Sequence, residues 1–242
     1  MTAIKTVNLT KRYKELVAVD GLSLEIEKGE LFSLLGINGA GKTTAIKMLS
    51  CLTAPTEGDA FVEGYSILRD AQRVKGVIGV SPQESALAPN LSVKENLELM
   101  AGIYGLRGER KAAKLGELAE RFGLSDILSR RAGKLSGGQA RRVSIAMALI
   151  SEPTVLFLDE PTLGLDVIAK SELWDVIRAL KGRVTVILTT HYMEEAEALS
   201  DRVGIMKDGR LLAVGTVAQL TEGAGTKRLE DAFISIVRGA KA

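Results

Sequence analysis

Gly36-Ile37-Asn38-Gly39-Ala40-Gly41-Lys42-Thr43-Thr44 is the stretch whose reading decides the fold. It follows an apolar run, Leu31-Phe32-Ser33-Leu34-Leu35, and leads into Ala45-Ile46-Lys47-Met48-Leu49, which reads as helix. It fits G-x-x-x-x-G-K-[ST] in the strand–loop–helix setting which that pattern requires. The residue types answer to what a phosphate demands. Glycines let the backbone curl so that successive N–H groups point inward at phosphate oxygens. A helix beginning near Lys42 aims its positive end at the same place. The Lys42 ammonium can reach β- and γ-phosphates, and the Thr43 hydroxyl is suited to Mg²⁺.

Composition sets the frame around this loop. A chain of 242 residues holds one large domain, or one domain with a subdomain. With 46% apolar and 26% charged residues, it has the make-up of a soluble globular protein. A net charge of +2 gives no strong pull towards nucleic acid or anionic lipid. Cys51 is the single cysteine, so no disulfide forms within the chain; core packing and a reducing compartment are its expected setting. The first residues, Met1-Thr2-Ala3-Ile4-Lys5, carry no signal-peptide apolar region. No apolar run approaches the ~20 residues that cross a bilayer. Any work at a membrane is therefore expected to be peripheral.

Before the loop, residues 4–9 and 22–27 are predicted strands. Leu22, Leu24 and Ile26 alternate with Ser23, Glu25 and Glu27, as in a half-buried antiparallel element. Tyr13 lies between them among Lys11, Arg12 and Lys14. Its ring is a flat face for a base, although an exposed tyrosine is usually only surface. Beyond the loop, residues 59–63 and 77–80 are predicted strands. Gln83 falls just past the second, where ligands collect in open α/β sheets; a lone glutamine is otherwise solvated loop.

Residues 92–150 lose the strand signal. Helices are predicted at 92–104, 109–122 and 138–150, the first opened by a Ser92/Glu95 capping box. Such a block inside an α/β pattern reads as an inserted helical subdomain. At its heart, Leu135-Ser136-Gly137-Gly138-Gln139 opens a helix. Ser136 and the N–H groups of Gly137 and Gly138 suit an anion, though the same residues cap helices everywhere.

Val155-Leu156-Phe157-Leu158 is a continuous apolar strand of the kind covered on both faces, and it ends in Asp159-Glu160. A carboxylate at that end, beside a phosphate loop, suits Mg²⁺ held through water. Its neighbour suits the orientation or deprotonation of an attacking water. Leu163-Gly164-Leu165-Asp166 is a loop before a helix near 169–181. Residues 184–190 form another buried strand, ending at His191, the only histidine. A lone histidine is more often structural, but this one stands at the strand end where the other candidates gather. Residues 193–199 read as helix, and 203–207 and 210–214 as a hairpin turning at Asp208-Gly209. The tail, 217–242, reads as two short amphipathic helices.

Taken together, GINGAGKTT, LSGGQ, TVLFLDEPT and LGLD, in that order, resemble the ATP-binding cassette (ABC) ATPases over residues 4–215. The resemblance implies an α/β P-loop core of mostly parallel sheet with flanking helices, an antiparallel β subdomain and an inserted α-helical subdomain. It implies an ATPase domain over 1–216, with the helical part at about 85–150, and a helical tail over 217–242. ATP would lie on Gly36, Ile37, Asn38, Gly39, Ala40, Gly41, Lys42, Thr43 and Thr44, with Tyr13 stacked on adenine. Thr43, Gln83 and Asp159 would hold Mg²⁺. Glu160, His191 and Lys42 would carry catalysis, and Asp166 would lie in the loop that meets a partner subunit. In that family LSGGQ lies too far from its own P-loop to complete one pocket. Ser136, Gly137, Gly138 and Gln139 would therefore face the ATP of a second copy, in a head-to-tail dimer. The Gly-Ile-Asn-Gly of the loop and the ending Leu229-Glu230-Asp231-Ala232-Phe233-Ile234 resemble bacterial multidrug or antibiotic exporters, whose membrane permease is a separate polypeptide. The expected place is the cytoplasmic face of the membrane. A ribosome- or nucleic-acid-acting relative would carry two cassettes, long coiled coils or a Cys cluster. A P-loop kinase or GTPase would have no use for LSGGQ.

Overall fold

A computed structural model describes residues 1–239; the last three residues of the predicted tail, 240–242, lie outside the described residues. The chain begins with two long strands, β1 (Thr2–Tyr13) and β2 (Leu16–Glu27), and then β3 (Leu31–Leu35), every residue of which is buried. Helix α1 (Lys42–Leu49) follows the glycine-rich loop. Next come β4 (Glu57–Val62), β5 (Tyr65–Ser66), α2 (Ala71–Val77) and β6 (Ile78–Ser81). A helical block holds α3 (Val93–Ile103), α4 (Gly108–Arg121) and α5 (Gly137–Ala148). The chain returns to the sheet with β7 (Val155–Asp159), α6 (Val167–Arg178), β8 (Thr185–Thr190) and α7 (Met193–Leu199). It ends with the hairpin β9 (Arg202–Lys207) and β10 (Arg210–Gly215), then α8 (Val217–Gly223) and α9 (Leu229–Gly239).

Two sheets result. The larger has the order β10-β9-β3-β8-β7-β6, parallel except for its edge strand β10. The smaller, β2-β1-β4-β5, is antiparallel. The central strands are apolar throughout because each face has its own cover. On β7, Leu156 and Leu158 pack with the helical block, while Val155 and Phe157 pack with α1 and the antiparallel sheet. Parallel register then brings functional ends together. Leu35 of β3 stands opposite Thr190 of β8, and Thr189 stands opposite Asp159 of β7. The glycine-rich loop, the acid pair and His191 therefore leave the sheet at one edge, outside the carboxyl ends of adjacent strands.

The structure extends the predicted strands of the smaller sheet. β1 reaches Tyr13 and β2 starts at Leu16, so Tyr13 ends a strand rather than sitting in a long loop. Register shifts at Thr6/Leu9 and beyond, with Asn8 at φ 47°, interrupt the two-residue alternation that would have announced this. Helix α2 was not foreseen either: it buries only Val74 and so carries no apolar stripe. The tail forms two helices, as expected, but it is no appendage. Leu220, Leu229 and Phe233 pack with Leu35, Ala196, Val203 and Ile205. Glu197 Oε1 accepts from Leu229 N–H at 3.0 Å, and Lys207 Nζ donates to the Val237 carbonyl at 3.0 Å. Among the described residues, no helix is long and apolar enough to cross a membrane.

Candidate functional site

The glycine-rich loop is braced from behind. Gly209 N–H, in the β9–β10 turn, donates to Ala40 O at 3.1 Å, and Asp20 N–H donates to Gly209 O at 2.9 Å. Gly41 precedes α1 with φ 100°, and a Cβ there would come within 2.3 Å of Ala18 O, so only glycine fits. The opening N–H groups of α1 have no intrahelical acceptor and face the loop's concavity. Lys42 is buried. Its Nζ donates to Gly36 O at 2.7 Å and Ile37 O at 3.2 Å, and it lies 3.2 Å from Glu160 Oε1.

The two acids diverge. Asp159, ending β7, turns to α1: its Oδ1 accepts from Thr43 Oγ1 at 3.0 Å and Thr189 Oγ1 at 2.5 Å. Glu160 takes φ 48°, a left-handed conformation that costs a side-chain-bearing residue, all the more ahead of Pro161. Its N–H is pinned by Thr189, to the hydroxyl at 3.0 Å and the carbonyl at 3.2 Å. That reversal points the carboxylate back over the loop. There Oε2 is 2.7 Å from His191 Nδ1 while Oε1 faces Lys42.

These groups line a cavity of about 640 Å³. Tyr13 stands at its rim; Asn38, Gly39, Ala40, Gly41, Lys42, Thr43 and Thr44 form one wall; Gln83, Glu160 and His191 close the other side. Gly36 and Ile37 belong to the loop but not to the lining, and the Ile37 side chain is half exposed. Asp159 sits behind Thr43. Ser136, Gly137, Gly138 and Gln139 do not reach this cavity. They open α5 with a capping box, in which Ser136 Oγ accepts from Gln139 N–H at 3.3 Å and Gln139 Oε1 accepts from Ser136 N–H at 3.1 Å. Asp166 caps α6, accepting from Ala169 N–H at 2.9 Å.

Three polar residues escaped the sequence reading. Thr189 anchors both acids. Arg141 is buried, and its two terminal nitrogens donate to Pro82 O at 2.6 Å and Gln83 O at 2.5 Å. It shares a helix face with the buried Ser144, Ile145 and Ala148, a spacing that marks an arginine turned inward. Glu195 of α7 is fully buried, accepts from Trp174 Nε1 at 3.2 Å and adjoins the Thr162 and Thr190 hydroxyls. Burial pushes its carboxyl above the ordinary range, more than the neighbouring hydroxyls, Trp174 and Lys170 bring it down.

The donor set fits a hard divalent cation. Thr43 and Asp159 offer oxygens already brought together at 3.0 Å, and Gln83 shares the same cavity. The arrangement as a whole can seat a nucleotide, bury its phosphates against a cation and place a carboxylate for water.

The family described as ABC transporter matches residues 19–163. The daunorubicin resistance ATP-binding protein DrrA3 of Streptomyces coeruleorubidus is 43% identical over 95% of this chain and 73% of its own length. The probable multidrug ABC transporter ATP-binding protein YbhF of Escherichia coli (strain K12) is 39% identical over 98% of this chain, which spans 42% of that longer protein. Among solved structures, the dimeric post-hydrolysis state of an ATP-binding cassette bound to ADP and Pi superposes with a TM-score of 0.79. It is 29% identical, covering 88% of this chain and 98% of that one.

Proposed function

Since the chain belongs to the ABC transporter family and is an ATP-hydrolysing cassette, we propose that it powers export through a separate membrane permease, working as a head-to-tail dimer. The observation that carries the catalytic reading is the Glu160 carboxylate, held between Lys42 and His191 over the glycine-rich loop. Loop N–H groups and the start of α1 bind the phosphates, and Tyr13 stacks on adenine. Glu160 orients a water for in-line attack on the γ-phosphate and takes its proton; Lys42 and His191 steady the charge that develops. Thr43, Gln83 and, through water, Asp159 would hold Mg²⁺, which supplies positive charge at the β- and γ-phosphate oxygens.

Export is supported by the relatives, DrrA3 in daunorubicin resistance and YbhF a probable multidrug transporter protein. A place for the permease is supported by a groove of about 420 Å³ beside the Gln83 loop, lined by Pro82, Ala86, Met100, Tyr104 and Met147. Leu52 also lines it, and both Leu52 and Tyr104 are exposed, an apolar rim suited to a protein contact. That contact would place the chain on the cytoplasmic membrane face.

Glu160→Gln tests the core of the proposal. ATP binding should persist, turnover should fall by about a hundredfold or more, and an ATP-bound dimer should accumulate on gel filtration. Near-normal hydrolysis by this variant would remove Glu160 from the chemistry.

A further inference from the structure

Arg141 has no part in the site as described, yet a buried guanidinium is costly unless its donors are used. Here they are used on backbone. The planar fork spans two successive carbonyls, those of Pro82 and Gln83, and none of the ion pairs among the described residues includes Arg141. The fastening continues along α5. Three residues on, Ser144 Oγ lies 2.9 Å from Ser81 Oγ on β6. Four residues further, the Ala148 carbonyl fits against Gly79, where a Cβ would come within 2.2 Å of it. Helix α5 is thus tied to β6 and its outgoing loop at three levels, and Gln83 is held at the level nearest the helix start. The first turn of that same helix carries Ser136–Gln139.

We propose that Arg141 is a positioning residue that couples the two half-sites of one chain. It ties Gln83, which serves the chain's own ATP, to α5, whose first turn serves the ATP of the partner copy. The proposal rests on the head-to-tail dimer above. Because α5 is anchored to β6, contact of its first turn with a partner's ATP is passed to Gln83 through the Arg141 fork rather than by displacement of the helix along the strand. Occupation of one site thereby prepares the other.

Mixed dimers test this. A chain with intact Glu160 is mixed with a tenfold excess of Glu160→Gln chain, so that each working site has a known P-loop donor, and ATP cleavage is followed in a single turnover. The reference mixture keeps Arg141 in both chains. Arg141→Gln on the chain with intact Glu160 should slow cleavage about tenfold or more. On the Glu160→Gln chain it should leave cleavage within about twofold. Mere structural damage to α5 would do the reverse, because in the second arrangement the substituted helix faces the working ATP. Equal losses, no loss, or the reversed pattern would overturn the proposal. If Arg141→Gln does not fold, Arg141→Lys, which keeps the charge but loses the fork, serves in the same comparison. Failure of the Glu160→Gln chain alone to dimerise with ATP would refute the dimer itself, a result visible before Arg141 is changed.

Discussion

At the scale of single residues, the site is a set of charges taken out of water and made to satisfy one another. Lys42 and Glu160 are both buried, and the ammonium is completed by the Gly36 and Ile37 carbonyls. Glu195 is a different case: burial dominates, the nearby cations Lys170 and Arg141 do not cancel it, and its carboxyl stays protonated to higher pH than usual. The folded state then binds this proton more tightly than the unfolded chain. Its stabilisation is complete below the usual 4.5 and is lost as pH rises through the folded value. Glu195→Gln keeps the shape and cannot ionise, so its melting temperature relative to the unsubstituted protein should climb across the pH range above the usual 4.5. A constant difference across that range would show a carboxyl already ionised. Neither Glu195 nor Thr189 was legible in the sequence. Each acts through partners some thirty or fewer positions away that only strand pairing and helix packing bring close. Lys42, Asp159, Glu160 and His191 were legible, because each sits at a fixed offset from an apolar strand and strand ends announce themselves.

Among the elements, α5 and β6 show how tightly the helical block is joined to the sheet. Gly79→Ala would press a methyl into the Ala148 carbonyl, with Pro153 Cγ also within 3.1 Å. Neither backbone has room to retreat, so a loss of ~1–3 kcal/mol is expected, read as a lower urea midpoint at unchanged slope. An unaltered midpoint would mean that α5 stands off the strand. Periodicity located α3, α4, α5 and all the buried parallel strands, since long stripes and short apolar runs are strong signals. It failed for α2 and for the far ends of β1 and β2, where one buried residue or a bulged register leaves no period to read.

For the whole molecule, the separation of the α5 start from the glycine-rich loop is the governing fact. In the proposed head-to-tail dimer each chain would offer two unlike half-sites, and two-fold symmetry would pair them twice. Ser136→Arg would place a long cation in the proposed dimer interface while leaving the P-loop untouched. Nucleotide affinity of the monomer should stay within about twofold, while ATP-dependent dimerisation and turnover are lost. Full turnover in this variant would mean that one chain is a complete enzyme. The sequence suggested two halves only through family resemblance; Ser136–Gln139 lie outside the cavity that Lys42 lines. It did not foretell that the tail packs against α7 and over β3 and β9, because α8 and α9 carry ordinary amphipathic patterns that name no partner.

Trp174 adds a practical dividend. It is the sole tryptophan of the chain, it bridges α6 to the buried acid of α7, and Lys170 lies 5.1 Å from its ring centre. Asp166 caps the start of α6 and His191 precedes α7, so the indole lies between the two helices that follow those residues. Its ultraviolet emission therefore reports, without a label, on the surroundings of the α6–α7 contact. Stopped-flow traces at a single wavelength can test whether ATP disturbs the α6–α7 packing without any attached dye.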